Sequence, residues 1–189
     1  MEPMEGSAVR KLIMWNLMSL DGFVEGPNRD ISWHDQVWRT ELEQFSLEQG
    51  KEIGALLFGR VTYELMAGYW PTAKRTTVSD YMNLLPKYVF SRTLEKVDWE
   101  NTTLLKGDPA VEVGRLKRGE GKDIFVFGSA DLASYLMPLF DEFRIGLAPL
   151  LLGSGSPLFK QRGETAKLKL LGTERHSTGV VILRYLQQG

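Results

Sequence analysis

Short runs of apolar residues recur along the chain, and small or polar residues follow each run directly. The clearest are Leu12–Leu20, Ala55–Phe58 and Ile124–Phe127, which are apolar at nearly every position. A strand that is buried on both faces has this pattern, whereas a strand with one wet face alternates apolar and polar residues. The pattern therefore predicts strands of a parallel sheet that is covered on both sides.

Segments with a helical spacing of apolar residues lie between these runs. Ser32–Asp35 has the residue types of a capping box, and Trp38, Leu42 and Phe45 then predict the inner face of a helix that ends at Gly50. Further helices are predicted at Tyr63–Ala67, at Ser79–Leu85 and from Asp108-Pro109 onward. Strands that alternate with helices are typical of an α/β protein.

The last third of the chain changes pattern. Glu142–Ala148 predicts another strand, and the glycine-rich stretch Pro149–Pro157 predicts a mobile connection. Leu168–Glu174 and Val180–Leu186 are joined by a short polar segment, which favours an antiparallel hairpin. Lys87–Phe90 and Thr103–Leu105 complete the predicted strands. We therefore expect a mainly parallel sheet with helices on both faces and an antiparallel C-terminal hairpin.

The stretch Ile124–Leu139 is the most informative part of the sequence. Gly128-Ser129-Ala130 separates a buried strand from a helix that Ser129 can cap and whose inner positions are Leu132, Tyr135, Leu136 and Leu139. Backbone N–H groups at a helix start attract anions, and small residues let a phosphate approach the main chain. The turn is either an anion site or a plain connection between strand and helix.

Three more strand-end turns carry groups that suit a ligand. Gly59-Arg60 and Ser91-Arg92 place an arginine directly after a strand, and Asp21-Gly22 follows the first strand. Carboxyl ends of parallel strands share one edge of the sheet, so these turns are predicted to converge with Gly128-Ser129. Arginines gathered there would bind the phosphates of an extended ligand, although each one alone is equally consistent with an ordinary surface residue.

Composition narrows the class of function. The chain has 189 residues, no cysteine, two histidines far apart and a formal net charge of −1. Disulfides and thiolate metal sites are therefore excluded, and no basic face or polybasic segment favours nucleic acid or a membrane. Residues 1–10 are predicted to be a flexible segment ahead of a single domain over 11–189. We expect a soluble, cytoplasmic protein that acts on a small molecule without a metal.

Four motifs carry a family resemblance. Met18–Val24, Leu57–Tyr63, Val89–Arg92 and Val126–Ala130 resemble, in order and spacing, the dihydrofolate reductase-like superfamily. The chain is most similar to the reductase domain of the bacterial bifunctional deaminase-reductase of riboflavin biosynthesis and to its free-standing relatives. The resemblance implies a three-layer α/β/α dihydrofolate reductase-like fold. It also implies a homodimer, for which the terminal hairpin is a possible contact edge.

The same resemblance implies NADPH as the cofactor. Gly59, Arg60 and Thr62 match the turn that holds the cofactor phosphates in the family, and Ser91 and Arg92 match the strand end that contacts the adenosine 2′-phosphate. The turn beneath the pyrophosphate and nicotinamide is matched by Gly128, Ser129, Ala130 and Asp131. The chemistry of these residues agrees, since a 2′-phosphate favours an arginine beside a hydroxyl.

For the substrate, the resemblance implies hydride transfer to the open-chain form of a ribosylamino-pyrimidine phosphate. Asp21 is the first candidate for a catalytic polar group, with a turn aspartate as the alternative. Trp33 is a candidate wall of the substrate pocket or a core residue, and Lys74 or Arg75 is a candidate contact for a substrate phosphate or part of a surface loop.

Two departures from the family pattern keep other functions open. Folate reducers carry an acidic residue on the first helix, whereas Asp35 and Glu41 here are out of register. The riboflavin enzymes have an Asp-Pro-containing loop where this chain has Gly68-Tyr69-Trp70-Pro71. The alternatives to a riboflavin-type reductase are dihydrofolate reduction and a non-catalytic module that binds NADPH.

Overall fold

The computed structural model describes residues 9–160 and 165–188. Its strands and helices, named in chain order, cover most of these residues. They are β1 Leu12–Ser19, β2 Phe23–Glu25, α1 His34–Val37, α2 Thr40–Gly50, β3 Ile53–Gly59, α3 Arg60–Tyr69, α4 Thr77–Leu84, β4 Lys87–Phe90, β5 Thr102–Leu105, α5 Pro109–Lys117, β6 Asp123–Val126, α6 Ala130–Leu136, β7 Glu142–Ala148, β8 Ser156–Pro157, β9 Leu168–Arg175 and β10 Val181–Gln187.

Eight strands form one sheet in the order β5-β4-β3-β6-β1-β7-β10-β9. The six strands from β5 to β7 are parallel, while β10 is antiparallel to both of its neighbours. The mainly parallel sheet with an antiparallel C-terminal hairpin is therefore confirmed. Because β6 lies between β3 and β1, the turn after β6 lies beside the turn after β3 at the carboxyl edge.

Two hydrophobic clusters, one on each face of the sheet, give the three-layer arrangement. Alternate residues of β1 divide between them, since Ile13 and Trp15 enter one cluster and Leu12 and Met14 the other. On the first face α2 and α4 contribute Leu42 and Met82, and on the second face α5 and α6 contribute Val113 and Leu136. Each such buried side chain stabilises the fold by about 1.5–3 kcal/mol, which explains why the strands are apolar throughout.

The predicted helix from Ser32 to Gly50 is instead two helices, α1 and α2. Trp33 precedes α1 without a side-chain cap, and the Ser32 N–H donates to Asp30 Oδ1 at 2.9 Å, so the capping-box prediction is wrong. The chain leaves helical geometry at Trp38, whose side chain is 37% exposed rather than on the inner face. The Arg39 guanidinium donates to the Asp35 and Trp38 carbonyls at this break.

The stretch Pro149–Pro157 is not the unattached connection that its glycines suggested. Its last two residues form β8, which pairs with β2, and the Leu20 N–H donates to the Leu150 carbonyl at 2.9 Å. The loops that follow β1 and β7 are thus joined into one platform at the carboxyl edge. These partners are about 130 residues away in sequence, so a local pattern could not reveal them.

The first residues of the domain are held by the β6 side of the molecule. Residues 1–8 of the predicted flexible segment lie outside the described part of the chain. Arg10 is buried, and its Nε donates to the Lys122 carbonyl at 2.6 Å. The backbone N–H of Arg10 also donates to the Lys117 carbonyl at 3.0 Å. Arg10 therefore belongs to the folded domain.

Candidate functional site

An open cleft of about 370 Å³ lies at the carboxyl edge of the sheet. The residues that follow β3, β4 and β5, together with the first turns of α5 and α6, form its walls. They are Gly59, Arg60, Val61, Phe90, Ser91, Arg92, Leu105, Lys106, Gly107, Pro109, Ser129, Asp131, Leu132 and Tyr135. Three of the four turns that the sequence singled out therefore converge, as predicted from the parallel sheet.

Two of these turns are packed closely and leave little room for a residue larger than glycine. The Gly59 N–H donates to the Gly128 carbonyl at 3.1 Å, and a Cβ on Gly59 would lie 2.5 Å from the Ser129 hydroxyl oxygen. Gly128 has a φ of +127°, and a Cβ there would meet the Thr62 hydroxyl oxygen at 2.8 Å. The small residues after β3 and β6 thus hold the two turns together at the base of the cleft.

Ser129 caps α6 as the sequence predicted. Its hydroxyl oxygen accepts from the Leu132 N–H at 3.4 Å, and Ala130 and Asp131 form the first turn of the helix beside the cleft. The Asp131 carboxylate forms an ion pair with Lys160, so its negative charge is partly balanced. An anion near this turn would be repelled less than the sequence alone suggests.

The cleft has more positive than negative side chains on its walls. Arg60, Arg92 and Lys106 line it, against one acidic lining residue, Asp131. Arg60 also pairs with Glu64 at 3.0 Å on the exposed face of α3, whereas Arg92 and Lys106 form no ion pair within residues 9–160 and 165–188. Two cations without a contact ion pair in those residues, at neighbouring strand ends, suit a ligand that carries phosphate.

Beside these cations, Ser91 and Asp108 organise the local backbone. The Ser91 hydroxyl oxygen accepts from the Leu94 N–H at 3.0 Å, and Asp108 caps α5 through an Oδ1 that accepts from the Ala110 N–H at 2.8 Å. The other oxygen of Asp108 accepts from the Tyr135 hydroxyl at 2.7 Å. This bond is the largest cause that lowers the pKa of Asp108, and the Arg92 charge lowers it further.

Tyr135 is therefore not on the inner face of α6, where the helical spacing had placed it. Its side chain is 53% exposed and lines the cleft. Sequence reasoning also missed Lys106 and Gly107, although they follow β5 in the same way that Ser91 and Arg92 follow β4. The rule for strand ends, applied to the fifth strand, would have found both.

Asp21 does not line the cleft. It follows β1, and its carboxylate accepts from the Ser19 hydroxyl at 2.5 Å, the Leu152 N–H at 3.1 Å and the Gly153 N–H at 2.8 Å. The Ser19 bond is the largest cause that lowers the pKa of Asp21, and the two backbone bonds act in the same direction. The carboxylate is thus ionised at neutral pH and attaches the loop after β7 to the end of β1.

The three candidate substrate residues are also outside the cleft. Trp33 is 3% exposed and belongs to the hydrophobic cluster on the α2 face, and no partner for its indole N–H lies within the described part of the chain. Lys74 and Arg75 are exposed on the segment before α4, where Arg75 pairs with Asp80 at 3.1 Å. The structure therefore does not bring these residues together with the cleft.

Neither a metal centre nor a spanning segment emerges from the described residues. No group of three or more histidine and acidic side chains in ranges 9–160 and 165–188 is placed to hold a metal ion. Within the same ranges, every helix is too short or too polar to pass through a bilayer.

The fold is dihydrofolate reductase-like, and this expectation is confirmed. Residues 10–182 match the family model of the RibD C-terminal domain, so the chain belongs to that family. It is 34% identical, over 191 aligned positions, to the uncharacterized protein YyaP of Bacillus subtilis (strain 168). That alignment covers 95% of this chain and 96% of YyaP.

Two solved structures show the same fold at low sequence identity. A protein named for riboflavin biosynthesis from Shewanella sp. PV-4 has a TM-score of 0.78 and 19% identity, with 95% of this chain and 99% of that chain covered. The diaminohydroxyphosphoribosylaminopyrimidine deaminase/5-amino-6-(5-phosphoribosylamino)uracil reductase of Thermotoga maritima has a TM-score of 0.70 and 14% identity. The superposition covers 95% of this chain and 57% of the Thermotoga chain.

Proposed function

We propose that this protein is an NADPH-dependent reductase of the riboflavin type. One observation carries the proposal. The turns after β3, β4 and β6 meet at one cleft, and they bring the glycine turns and the strand-end arginines together there. Membership of the RibD C-terminal domain family supports the same reaction class. The substrate class is a ribosylamino-pyrimidine phosphate, in keeping with the reductase named for the Thermotoga maritima structure.

The donor set of the cleft suits NADPH. Arg60, at the start of α3, would bind the pyrophosphate together with the turn formed by Gly128, Ser129, Ala130 and Asp131, and Gly59 and Thr62 hold that turn in place. Ser91, Arg92 and Lys106 are the residues that would bind the adenosine 2′-phosphate, because two cations lie there beside a hydroxyl. The bound coenzyme supplies a hydride from its reduced nicotinamide.

The platform formed by the loops after β1 and β7 is the proposed substrate side of the site. Asp21 is the polar group proposed there, and its ionised state suits hydrogen bonding and positioning rather than proton donation. Trp33, which is only 3% exposed, is proposed as part of the apolar wall of the substrate pocket, and Lys74 or Arg75 is the proposed contact for a substrate phosphate. Under this proposal the substrate contacts lie outside the cation-lined cleft, with Asp21 on the β1–β7 platform.

The test begins with coenzyme binding. NADPH and NADH are titrated into the purified protein by calorimetry, and we expect tighter binding of NADPH. The open-chain ribosylamino-pyrimidine phosphate is then added, and loss of the reduced-nicotinamide absorbance measures turnover. Turnover with dihydrofolate instead would identify a folate reducer. Tight NADPH binding with no oxidation by any acceptor would identify a non-catalytic module and contradict the proposal.

Replacing Asp21 and Arg92 separately distinguishes catalysis from binding. Asp21→Ala removes three acceptor bonds from the β1–β7 platform, so we expect turnover to fall while NADPH binding is kept. Arg92→Ala is expected to weaken NADPH binding instead. A module without a reaction would respond to the second substitution alone.

We also propose that the protein is a homodimer. The edge strand β9 exposes Leu168, Leu170 and Leu171 by 40–52% of their surface, next to an unpaired strand edge. An exposed apolar edge strand favours pairing with another chain. Light scattering coupled to size exclusion should give the mass of two chains, and Leu170→Lys should lower it to one.

A further inference from the structure

A carboxylate lies beside the cation-rich end of the cleft. Asp108 lies between the lining residues Gly107 and Pro109, in a position where Arg92 lowers its pKa through space. A carboxylate at this point would repel the 2′-phosphate of NADPH. It would also accept a hydrogen bond from the free 2′-hydroxyl of NADH, which is how acidic residues select NADH in dinucleotide-binding folds. The preference for NADPH or NADH would thus depend on which hydrogen bonds the Asp108 carboxylate already makes within the protein.

Both oxygens of Asp108 have partners within the protein. Oδ1 accepts from the Ala110 N–H at 2.8 Å and the Val111 N–H at 3.2 Å, and these bonds fix the carboxylate as the cap of α5. Oδ2 accepts from the Tyr135 hydroxyl at 2.7 Å, and Tyr135 comes from a different element, α6. Tyr135 lines the cleft, so the bond from its hydroxyl to Oδ2 lies beside the place where a ligand would bind.

We propose that Tyr135 is a positioning residue that sets coenzyme selectivity, because its hydroxyl withholds the free Asp108 oxygen from the ribose 2′-position and leaves Arg92 and Lys106 to a 2′-phosphate. The inference rests on the proposed NADPH-dependent function. It assigns a role to a tyrosine that lines the cleft and acts on coenzyme choice through Asp108.

The test is the ratio of the dissociation constants for NADH and NADPH, measured by calorimetry on the full chain. Tyr135→Phe removes only the hydroxyl, and the cap bonds keep Asp108 in place with a bare Oδ2. We expect NADPH binding to weaken and NADH binding to hold or strengthen, so that the ratio falls about tenfold, the size of one hydrogen bond to a charged group. Binding of 2′,5′-ADP compared with 5′-ADP should show the same shift without the nicotinamide.

A rescue variant separates selectivity from stability. Asparagine caps helices as well as aspartate does but is uncharged, so Tyr135→Phe combined with Asp108→Asn should return the ratio to the wild-type value. Tyr69→Phe, at an exposed tyrosine of α3 outside the cleft, is the matched control and should leave the ratio unchanged. Equal weakening of both coenzymes in Tyr135→Phe, or no rescue, would overturn the inference while the proposed function stands. A wild-type protein that binds neither coenzyme would overturn both.

Discussion

Strand β4 has a basic residue at each end, and the two residues differ in burial and in hydrogen bonding. Lys87 begins the strand with no exposed surface, and its Nζ donates to the Met82, Asn83 and Leu85 carbonyls at 2.8–3.1 Å. Arg92 follows the other end, is exposed, and lines the cleft. A cation whose hydrogen-bond donors all bind the protein has a structural role, whereas a cation with unused donors can bind a ligand.

The difference extends to the two edges of the sheet. At the amino edge Glu142 accepts from Arg144 at 2.8 Å and from Arg184 at 2.8 Å, and Arg144 also donates to Glu52 at 2.6 Å. These charges compensate one another, and Glu142 and Arg144 are nearly inaccessible. In the cleft at the carboxyl edge, three cationic side chains and one acidic side chain line the walls and face solvent. Substitutions at the amino edge should therefore change stability, and those at the carboxyl edge should change coenzyme binding.

The largest effect is expected for Glu142→Ala. The substitution leaves Arg144 buried beside Arg184 without the carboxylate that both use, and breaking a buried ion pair in this way costs about 3–5 kcal/mol. Urea unfolding followed by circular dichroism measures the loss. Glu43→Ala, at an exposed glutamate of α2, should change the free energy of unfolding by less than about 0.5 kcal/mol. Equal effects from the two variants would contradict the contrast between the edges.

The next effect is a pH dependence at Lys87. Burial lowers the pKa of Lys87 from its ordinary 10.5 to about 8, so between these values the unfolded chain holds a proton that the folded chain has lost. Stability should therefore rise with pH from about 8 to about 10.5, by up to about 3 kcal/mol. Denaturant unfolding at a series of pH values measures the rise. Lys87→Met should abolish it, and Lys51→Met, at an exposed lysine, should keep it.

Much of the fold could be predicted because its signals are local. The predicted bounds match the structure for the strands Lys87–Phe90 and Glu142–Ala148. Helices also begin at Asp108-Pro109 and at Ser129 as predicted, because caps and apolar runs act within a few residues. The break between α1 and α2 depends on local side-chain bonds that the apolar spacing does not show, and the loop after β7 depends on distant partners. Nothing near Pro149–Pro157 shows that Asp21 and β2 hold this loop.

The candidate site was predictable only in part, for the same reason. Parallel strands bring their ends together, so the convergence of Arg60, Arg92 and Ser129 followed from the pattern of strands alone. Tyr135 was misplaced because helical spacing groups aromatic and aliphatic residues together, and its bond to Asp108 spans 27 positions. Lys106 was missed although it follows β5 as Arg92 follows β4, so the strand-end rule covers it as well.

At the carboxyl edge, Arg92→Ala should have the larger effect on binding. Loss of a hydrogen-bonded charge from the 2′-phosphate site corresponds to about 1.5–3 kcal/mol, or about a 10- to 100-fold weaker affinity for NADPH. The free energy of unfolding should stay within about 0.5 kcal/mol of the wild-type value, because Arg92 makes no ion pair within the described ranges. Calorimetry and urea unfolding on the same sample measure both. A lower free energy of unfolding with unchanged NADPH affinity would show that Arg92 has a structural role like that of Lys87.

Lys106→Gln should have the smallest effect, and its dependence on salt makes it informative. An exposed lysine contributes to a phosphate site mainly as a point charge, so removing it should weaken NADPH binding only about two- to fivefold. The difference from the wild type should shrink as ionic strength rises, since salt screens exposed charges over about 10 Å at 0.1 M. Calorimetric titrations at low and high salt measure this, with Lys96→Gln, whose lysine pairs with Asp98 outside the cleft, as the control. If Lys106→Gln weakened the binding of NADH and NADPH equally at every salt concentration, the lysine would not contact the 2′-phosphate. The selective part of the site would then reduce to Arg92 and the hydroxyl beside it.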